Sequence, residues 1–467
     1  MAAAVAVAII SARPYAGGWY DGSRLATVES LVDYHTLAID RSIFVQASSG
    51  HGSAAPSPYP PDEPALRLHG TRDKLFINGR FYSDKPPVPA LLMAGIYQIL
   101  QWTTGLTARR DPGAFCYWMT LASSGLAYAV AVWCIFQLGL PLRLPPGLRM
   151  GLTASFGLST AALTYVRQVN SHIVLLGVAA ALYLALASMG EDARAGRMPC
   201  RRLLGLGTLA GFGYTIDLGA GPILLACTVA LVAYRCRRFS AVATLALAAL
   251  PWLALHHALN YAVGGTFRPA NAVPEYLQWP GSPFSPSSMT GVLAHATVGH
   301  FLIYSAALLA GKRGFLGHNL PLFLAVPGLV ALLRGHVRER PEVLHAASWF
   351  LGTWIAYALF SNNYSGLTAS IRWFVPLLAC GYFILAIFLR EYPRYQGDFL
   401  LLSGWGAVVG GLMWWKGPWM KHMVPLFWPI QGAAFLSWIL CRVRQGRREG
   451  GLRGAAPSRE GGSGDGG

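Results

Sequence analysis

Long apolar runs alternate with short polar loops along most of the chain, and this alternation predicts a bundle of membrane helices. A helix of about 20 predominantly apolar residues is long enough to cross the hydrocarbon core of a bilayer. We predict spans in the apolar runs that follow residue 113. Their approximate bounds are 114–138, 149–166, 172–189, 203–217, 221–234, 239–259, 316–334, 342–360, 373–389, 398–414 and 424–441.

One further span is predicted at the beginning of the chain, from Met1 to about Trp19. Its leading apolar stretch has only about eleven residues, fewer than a membrane-crossing helix needs. Either neighbouring helices support this short span or the protein begins further upstream. A cleavable signal peptide is not predicted, because no charged region precedes the apolar stretch.

Residues 20–113 form a long polar segment that contains one ambiguous apolar run, Ala90 to Trp102. As a membrane span, this run would place the arginine-rich loops that follow it outside the cell. As a helix in the membrane interface, it leaves those loops inside, where the positive-inside rule expects them. We therefore predict an interfacial helix, outer loops at 20–113 and 260–315, and about twelve spans (11–13) with both chain ends in the cytoplasm.

The composition agrees with an all-α polytopic membrane protein, since 54% of the residues are hydrophobic and only 12% are charged. Soluble domains carry about 25% charged residues. The net charge of +17 could indicate nucleic-acid binding, but the arginines cluster in loops assigned to the cytoplasm, and we exclude that partner. The seven cysteines form no CxxC pair, which argues against a disulfide framework or a cysteine-ligated zinc site.

The domain organisation predicted from these patterns is simple. A single transmembrane domain covers residues 1–441. Residues 442–467 are rich in glycine, arginine and serine, and we expect them to form a disordered cytoplasmic tail.

Polar side chains gather in the predicted outer loops, which indicates one site on that face rather than a path across the bilayer. Lys85 follows Asp84 and precedes two prolines, so the pre-proline restriction holds it extended and its ammonium projects from a rigid corner. A fixed cation here would suit a phosphate at the level of lipid headgroups. The alternative is a turn whose Asp84 and Lys85 are merely solvated.

Two aspartates at the predicted outer surface are candidates for chemistry. Asp21 directly follows the first span and could take a proton from an acceptor hydroxyl as a general base. It could equally cap a helix. Asp217 lies in a glycine-containing break between two apolar runs, where ionisable residues are costly and functional by default. The alternative for Asp217 is an exposed turn that only links two helices.

Arg372 and His172 begin predicted spans on the same face. Arg372 could bind a phosphate bidentately or a sugar through its hydroxyls, whereas an arginine beside tryptophan is also a common membrane anchor. His172 could be a ligand or a proton carrier, although a single histidine at a helix start often has neither role. Trp414, Trp415 and Trp419 most simply anchor the chain in the interface, although aromatic rings also stack on sugars.

The order of these features resembles the GT-C superfamily of membrane glycosyltransferases, in particular the branch with the aminoarabinose transferases and the protein O-mannosyltransferases. The matching features are Asp21 with Arg24 three residues on, the sequence Tyr82-Ser83-Asp84-Lys85-Pro86-Pro87 before a juxtamembrane helix, and the break from Asp217 to Pro222. The resemblance implies that Asp21 is the catalytic base and that Lys85 contacts the phosphate of a lipid-linked donor.

The sequence departs from the family pattern at two places. Many members have Asp-Glu where this chain has Asp21-Gly22, so the second carboxylate is missing. The re-entrant break often carries a lysine, whereas this chain has Asp217. Some members bind a divalent metal near the acid that precedes the lysine. Asp84 could supply a ligand to such a metal, but the sequence does not identify the others.

The resemblance implies a glycosyltransferase that uses a polyprenyl-phosphate sugar on the extracytoplasmic face of the bacterial inner membrane. The donor phosphate is expected at Lys85 and Arg372. Asp21 is expected to activate an acceptor hydroxyl of a glycan, lipid or protein for an inverting attack. Residues expected to bind substrate or support the site are Arg24, Tyr82, Asp84, His172 and Asp217.

A transporter or flippase of lipid-linked saccharides is the main alternative function. It would predict internal repeats and paired discontinuous helices with ionisable groups near the middle of the membrane. An inactive scaffold for a cell-envelope complex is a third possibility, which only the missing second acid favours. A lipid-borne donor agrees better with the sequence, which contains no nucleotide-binding loop.

Overall fold

The computed structural model of the chain describes residues 1–46, 57–197, 199–285, 290–291, 293 and 295–454, with side chains up to residue 443. The described residues form a helical bundle with a polar segment at one end, as predicted for an all-α polytopic membrane protein. The α-helices are α1 Ala2–Ser11, α2 Trp19–Asp33, α3 Pro64–His69, α4 Pro87–Thr104, α5 Pro112–Thr120, α6 Leu126–Leu138, α7 Pro146–Leu158, α8 Ala162–Tyr165, α9 Ser171–Arg194, α10 Cys200–Ile216, α11 Gly221–Cys236, α12 Phe239–Gly264, α13 Val298–Ala310, α14 Ala325–Arg334, α15 Arg340–Leu359, α16 Leu378–Glu391, α17 Gln396–Lys416 and α18 Phe427–Gly454.

Every span predicted after residue 113 overlaps at least one of these helices. The predicted span 149–166 is broken, since α7 ends at Leu158 and the short α8 begins at Ala162. Among the described residues, the helical stretches long and apolar enough to cross a membrane are Pro112–Leu138, Ser171–Arg194, Phe239–Gly264, Arg372–Glu391 and Pro393–Lys416. Four shorter apolar stretches accompany them: Ala2–Ser11, Gly221–Cys236, Val298–Ala310 and Leu320–Arg334.

The first helix is shorter than the predicted span, since α1 ends at Ser11 and Trp19 already begins α2. With ten residues, α1 is about 15 Å long, roughly half the hydrocarbon thickness of a bilayer. Its Ala4 and Ala8 are buried and belong to the same apolar core as α6. Neighbouring helices therefore support α1 through small side chains.

The centre of the bundle is formed by α9 and α16. In the stretch Arg372–Glu391, 94% of the 18 most apolar consecutive residues are buried within the protein. The corresponding share in α12 is 22%. A helix that is apolar on all faces can be stable only in such a central place or against lipid. Tyr183 of α9 packs against Phe383 of α16 and Trp349 of α15 and joins these helices.

Helix α4 contains the ambiguous run from Ala90 to Trp102. One face, with Met93, Ala94 and Tyr97, is buried, and α4 packs on α2. The opposite face exposes Leu92, Ile99 and Trp102. This division gives α4 the one-sided apolar exposure that an interfacial helix requires.

A two-stranded antiparallel sheet precedes α4, within the long polar segment 20–113 in which no strand was predicted. Strand β1, Lys74–Ile77, pairs with β2, Arg80–Ser83. The connecting Asn78 and Gly79 both have positive φ, of 51° and 79°, as a two-residue hairpin loop requires. The hairpin fixes the direction in which the chain enters the Lys85 corner.

The end of the bundle opposite this hairpin carries most of the arginine pairs. Arg235 at the end of α11 binds Glu342 at the start of α15, with 2.6 Å between Nη2 and Oε2. Arg390 and Glu339 form a similar pair at 2.8 Å, and Arg442 binds Asp398. Helix α18 continues to Gly454, beyond the boundary at residue 441, and residues 455–467 of the predicted tail lie outside the described part of the chain.

Helices α10 and α12 pack closely because glycines remove side-chain volume between them. A Cβ atom on Gly207 would lie 2.2 Å from the backbone oxygen of Leu245, and one on Gly211 would lie 2.7 Å from Cα of Ala249. The spacing Gly207-x-x-x-Gly211 places both glycines on one face of α10. Gly205, two residues earlier, has open space around its Cα.

We expect Gly207→Ala to lower the free energy of unfolding by about 1–3 kcal/mol, because its Cβ meets backbone that cannot move aside. Gly205→Ala is the matched control, since it adds the same methyl group and the same helix propensity in open space. Thermal unfolding of the purified protein in detergent measures the difference. Equal unfolding temperatures for the two variants would contradict the close packing.

Candidate functional site

Three cationic side chains from distant parts of the chain surround the ring of Tyr20, in the first turn of α2. The Arg24 and Arg372 Cζ atoms lie 4.9 and 4.3 Å from the ring centroid, and the Lys85 Nζ atom lies 4.7 Å from it. The negative face of an aromatic ring attracts cations at such distances. The structure thus brings together three residues that the sequence pointed to separately, around a fourth that it did not single out.

Local structure explains how each cation reaches Tyr20. Arg24 is one helical turn after Tyr20, so both lie on the same face of α2. Lys85 arrives from the β-hairpin and the proline corner. Arg372 begins a 3₁₀ turn that leads into α16, and its backbone N–H donates to the Ser365 hydroxyl at 3.0 Å.

Aromatic and polar side chains complete the surroundings of Tyr20. The His172 ring stacks on it at 5.9 Å with an interplanar angle of 18°, and the Trp419 ring lies at 5.9 Å with a tilt of 52°. The Tyr20 hydroxyl accepts a hydrogen bond from Arg24 Nη2 at 3.1 Å and is bonded to the Ser171 hydroxyl. Trp419 therefore belongs to the site rather than serving only as an interfacial anchor.

Several donors at this site are buried and have no hydrogen-bond partner among the described residues. They are Nε and Nη1 of Arg24, Nε of Arg372 and Nε1 of Trp419. Neither arginine lies within salt-bridge distance of a carboxylate in the described part of the chain. Buried guanidinium groups without a counter-charge are costly, and donors that converge in this way are suited to an anion.

Lys85, in contrast, is already paired. Its ammonium lies 2.7 Å from a carboxylate oxygen of Asp73 and 2.7 Å from one of Asp84. Burial alone would lower the pKa of Lys85, but these two carboxylates outweigh it and raise the pKa, so the ammonium stays charged. The Ser23 hydroxyl donates to the Asp73 backbone oxygen at 2.5 Å and bonds the Ser83 hydroxyl at 2.6 Å, which ties α2 to the hairpin.

Asp84 therefore contacts a lysine in this structure. Burial raises the pKa of Asp84, and the nearby Asp73 raises it further. Within the described residues, no group of three or more histidine, cysteine or acidic side chains is arranged to hold a metal ion. The ligands that would join Asp84 in a metal site are thus not found among these residues.

Asp21 is completely buried beside this cluster. It lies in the first turn of α2, where Gly18 is the N-cap residue, so the capping role considered from the sequence belongs to Gly18. The Gly17 backbone N–H donates to Asp21 Oδ2 at 2.6 Å, while Oδ1 has no partner among the described residues. Burial raises the pKa of Asp21 to about 7, because it outweighs the hydrogen bond from Gly17.

The missing second acid has a steric explanation. A Cβ atom on Gly22 would lie 2.4 Å from the Tyr59 hydroxyl oxygen. That hydroxyl donates to the Phe44 backbone oxygen at 2.8 Å, which fixes the ring. A glutamate cannot follow Asp21 unless Tyr59 moves.

Asp217 and His172 form a pair that the sequence did not predict. His172 Nδ1 lies 3.1 Å from Asp217 Oδ2. Asp217 Oδ1 accepts hydrogen bonds from the Gly219 and Ala220 backbone N–H groups, at 2.9 and 2.7 Å, and from the Tyr357 hydroxyl at 2.8 Å. Asp217 thus stabilises the turn before α11 and also orients the imidazole that stacks on Tyr20.

Tyr82 does not join the Tyr20 group. Its side chain packs against a small cluster with Leu75 and Ile77 of the hairpin, and it lines a separate pocket beside Lys85. The hairpin alternation explains this position, because successive side chains of a strand point to opposite faces.

Comparison with solved structures identifies the fold. No protein-family model matches the sequence, and no curated protein matches it. Two crystal structures of ArnT from Cupriavidus metallidurans are similar, one bound to undecaprenyl phosphate and one in the apo state. Both align with a TM-score of 0.51, at 15% and 13% sequence identity respectively. The alignments cover 88% of this chain and 63% of the ArnT chain, and they confirm the predicted GT-C-like fold.

The raised pKa of Asp21 makes a prediction about stability. Because the carboxyl binds its proton up to about pH 7 in the folded protein and only to about pH 3.8 ordinarily, this group lowers stability as the pH rises between these values. We expect Asp21→Asn to raise the unfolding temperature at pH 8 and to change it much less at pH 4. Differential scanning fluorimetry at both values measures this, and the opposite trend would contradict a buried, neutral carboxyl.

Proposed function

We propose that this chain is a membrane glycosyltransferase that transfers a sugar from a polyprenyl-phosphate donor to an acceptor hydroxyl. The observation that carries the proposal is the convergence of Arg24, Lys85 and Arg372 on Tyr20, with guanidinium donors that have no partner among the described residues. The likeness to a fold whose ArnT representative binds undecaprenyl phosphate supports the class of donor.

The donor phosphate would bind mainly to Arg24 and Arg372. Their free N–H groups would supply the hydrogen bonds, and in the part of the chain that the structure describes no carboxylate lies within salt-bridge distance of them. Lys85 would contribute one side of the phosphate site, held in place by Asp73 and Asp84. Fixed donors of this kind stabilise the negative charge that develops on the leaving phosphate in the transition state.

Asp21 would act as the general base. Its pKa of about 7 suits a group that must take a proton near neutral pH, and its free Oδ1 is available for that role. It would deprotonate a hydroxyl of a glycan, lipid or protein, which would attack the anomeric carbon in line and invert its configuration. Trp419 and the His172–Asp217 pair would fix the position of Tyr20 and the substrate from the other side.

We infer that the site faces the extracytoplasmic side of the bacterial inner membrane. The arginine pairs collect at the opposite end of the bundle, as expected for the cytoplasmic side. A flippase is less well supported. It would need ionisable groups along a path through the bundle, whereas the cations of this site gather around Tyr20 at one end.

The direct test is transfer from labelled polyprenyl-phosphate sugars in membranes that contain the protein. We expect Asp21→Asn to lower the rate by about a hundredfold to ten-thousandfold. Arg372→Gln and Lys85→Ala should lower it by about a hundredfold, because each removes a donor to the developing charge. Arg110→Gln is the matched control, since the Arg110 side chain is 82% exposed and its ion pair in the described part of the chain is with its neighbour Asp111. Full transfer by all three site variants would refute the assignment.

The pH dependence of transfer gives a separate prediction. Because only the ionised carboxylate of Asp21 can accept a proton, kcat/KM should rise with pH and level off above about pH 7. Initial rates between pH 5 and pH 9 at low donor concentration measure this rise of kcat/KM with pH. An Asp21→Glu variant with residual activity should shift the rise, and an unchanged profile in that variant would identify a different base.

A further inference from the structure

The pocket beside Lys85 that Tyr82 lines lies between the proline corner and α12. Its walls come from Thr27 of α2, Ser83 and Lys85 of the hairpin and corner, and His256 and Asn260 of α12. The interior holds about 20 Å³, which is room for one water-sized group. The pocket therefore cannot enclose a sugar ring, but it can receive a single small substituent.

His256 is the unusual member of this wall. Only 1% of it is exposed, yet neither Nδ1 nor Nε2 has a hydrogen-bond partner among the described residues. Buried polar groups in folded proteins almost always have partners, so two free nitrogens on one ring need an explanation. The neutral imidazole offers one donor and one acceptor, which complements a hydroxyl group because a hydroxyl can both accept and donate.

The wall around His256 is rigid. The Asn260 amide donates to the His256 backbone oxygen at 2.8 Å and accepts from the Ala270 backbone N–H at 2.9 Å. The Thr27 hydroxyl donates to the Ser23 backbone oxygen at 3.3 Å. These side chains have partners of their own, so they leave both His256 nitrogens unpaired among the described residues.

Lys85 connects this pocket to the Tyr20 cluster. Its ammonium lies against Tyr20, while the same residue lines the pocket. A group covalently attached to a phosphate at Lys85 is therefore within reach of the pocket. On the proposed function, that group is the sugar of the donor.

We propose that His256 recognises one hydroxyl of the donor sugar and that this pocket makes the enzyme distinguish a sugar-bearing lipid phosphate from the bare lipid phosphate. The inference rests on the proposed function. The sugar ring stays outside the pocket, above the proline corner, and one hydroxyl enters. His256 is a specificity-determining residue and takes no part in bond making.

The test compares the affinity of the purified protein in detergent for two probes: undecaprenyl phosphate and undecaprenyl phosphate that carries a hexose. We expect the wild type to bind the hexose-bearing lipid more tightly. His256→Ala should weaken that binding by roughly threefold to tenfold, the worth of one or two hydrogen bonds, and leave the affinity for the bare lipid phosphate unchanged. His256→Gln, which keeps a donor and an acceptor, should restore part of the difference.

His257→Ala is the matched control. Its ring nitrogens already bond the Tyr214 hydroxyl at 3.1 Å and the Phe267 backbone oxygen at 2.8 Å, and it does not line the pocket. It should leave the preference for the hexose-bearing lipid intact. Equal losses for both lipids in His256→Ala, or the same loss of preference in His257→Ala, would overturn the inference and assign His256 a purely structural role.

The outcome also separates this inference from the proposed function. If the wild type binds both lipids with the same affinity, the phosphate site stands and the sugar pocket is refuted. If it binds neither lipid, both proposals fail. Donors that lack one hydroxyl at a time extend the test, because the hydroxyl that enters the pocket should matter in the wild type and not in His256→Ala.

Discussion

The structure around Tyr20 depends on how the positive charges of the three side chains that surround its ring are balanced inside the protein. Three cations share one aromatic ring, and cations so close together repel one another. The ring offsets part of this cost, about 0.5–2 kcal/mol for each favourable cation–π contact. Two carboxylates balance Lys85, but Arg24 and Arg372 have no such partner in the described part of the chain. An anion between them would complete the balance, and this is the physical basis of the proposal that a phosphate-bearing substrate binds here.

The rest of the fold keeps this arrangement in place. The hairpin and the two prolines direct Lys85, Ser23 ties α2 to the hairpin, and the 3₁₀ turn before α16 presents Arg372. Helices α9 and α16 are buried in the bundle; His172 lies in the first turn of α9, and Arg372 begins the 3₁₀ turn that leads into α16. The site is therefore built at the ends of well-packed helices, although its residues come from segments more than 350 positions apart in the sequence.

The two departures from the GT-C pattern have different physical consequences. Gly22 is required by the Tyr59 hydroxyl, so the chain has space for only one carboxylate at this position and raises its pKa by burial. Asp217 stands where the resemblance leads one to expect a lysine. It contacts His172, whose ring stacks on Tyr20, so Asp217 is linked to the site through an imidazole. The Tyr20 site therefore combines a single buried acid with two arginines that lie against an aromatic ring.

The sequence by itself determined the class of the fold, the positions of the apolar helices and most of the polar residues that gather at one end. These follow from composition and from the length of apolar runs, which act locally and need no knowledge of neighbours. It did not predict the Asn78-Gly79 hairpin, although that pair is a recognisable turn signal. It also did not single out Tyr20, Asp73 or His256.

Those three residues look ordinary in the sequence because their importance comes from what surrounds them. Tyr20 matters because three cations reach its ring, Asp73 because it meets Lys85, and His256 because its nitrogens are buried without partners. The free-energy cost of each charge and each unpaired donor depends on burial and on contacts between distant parts of the chain. Burial and these contacts arise only when the helices pack. The tertiary structure alone therefore decided which polar residues form one site and which of them have unused hydrogen-bonding capacity.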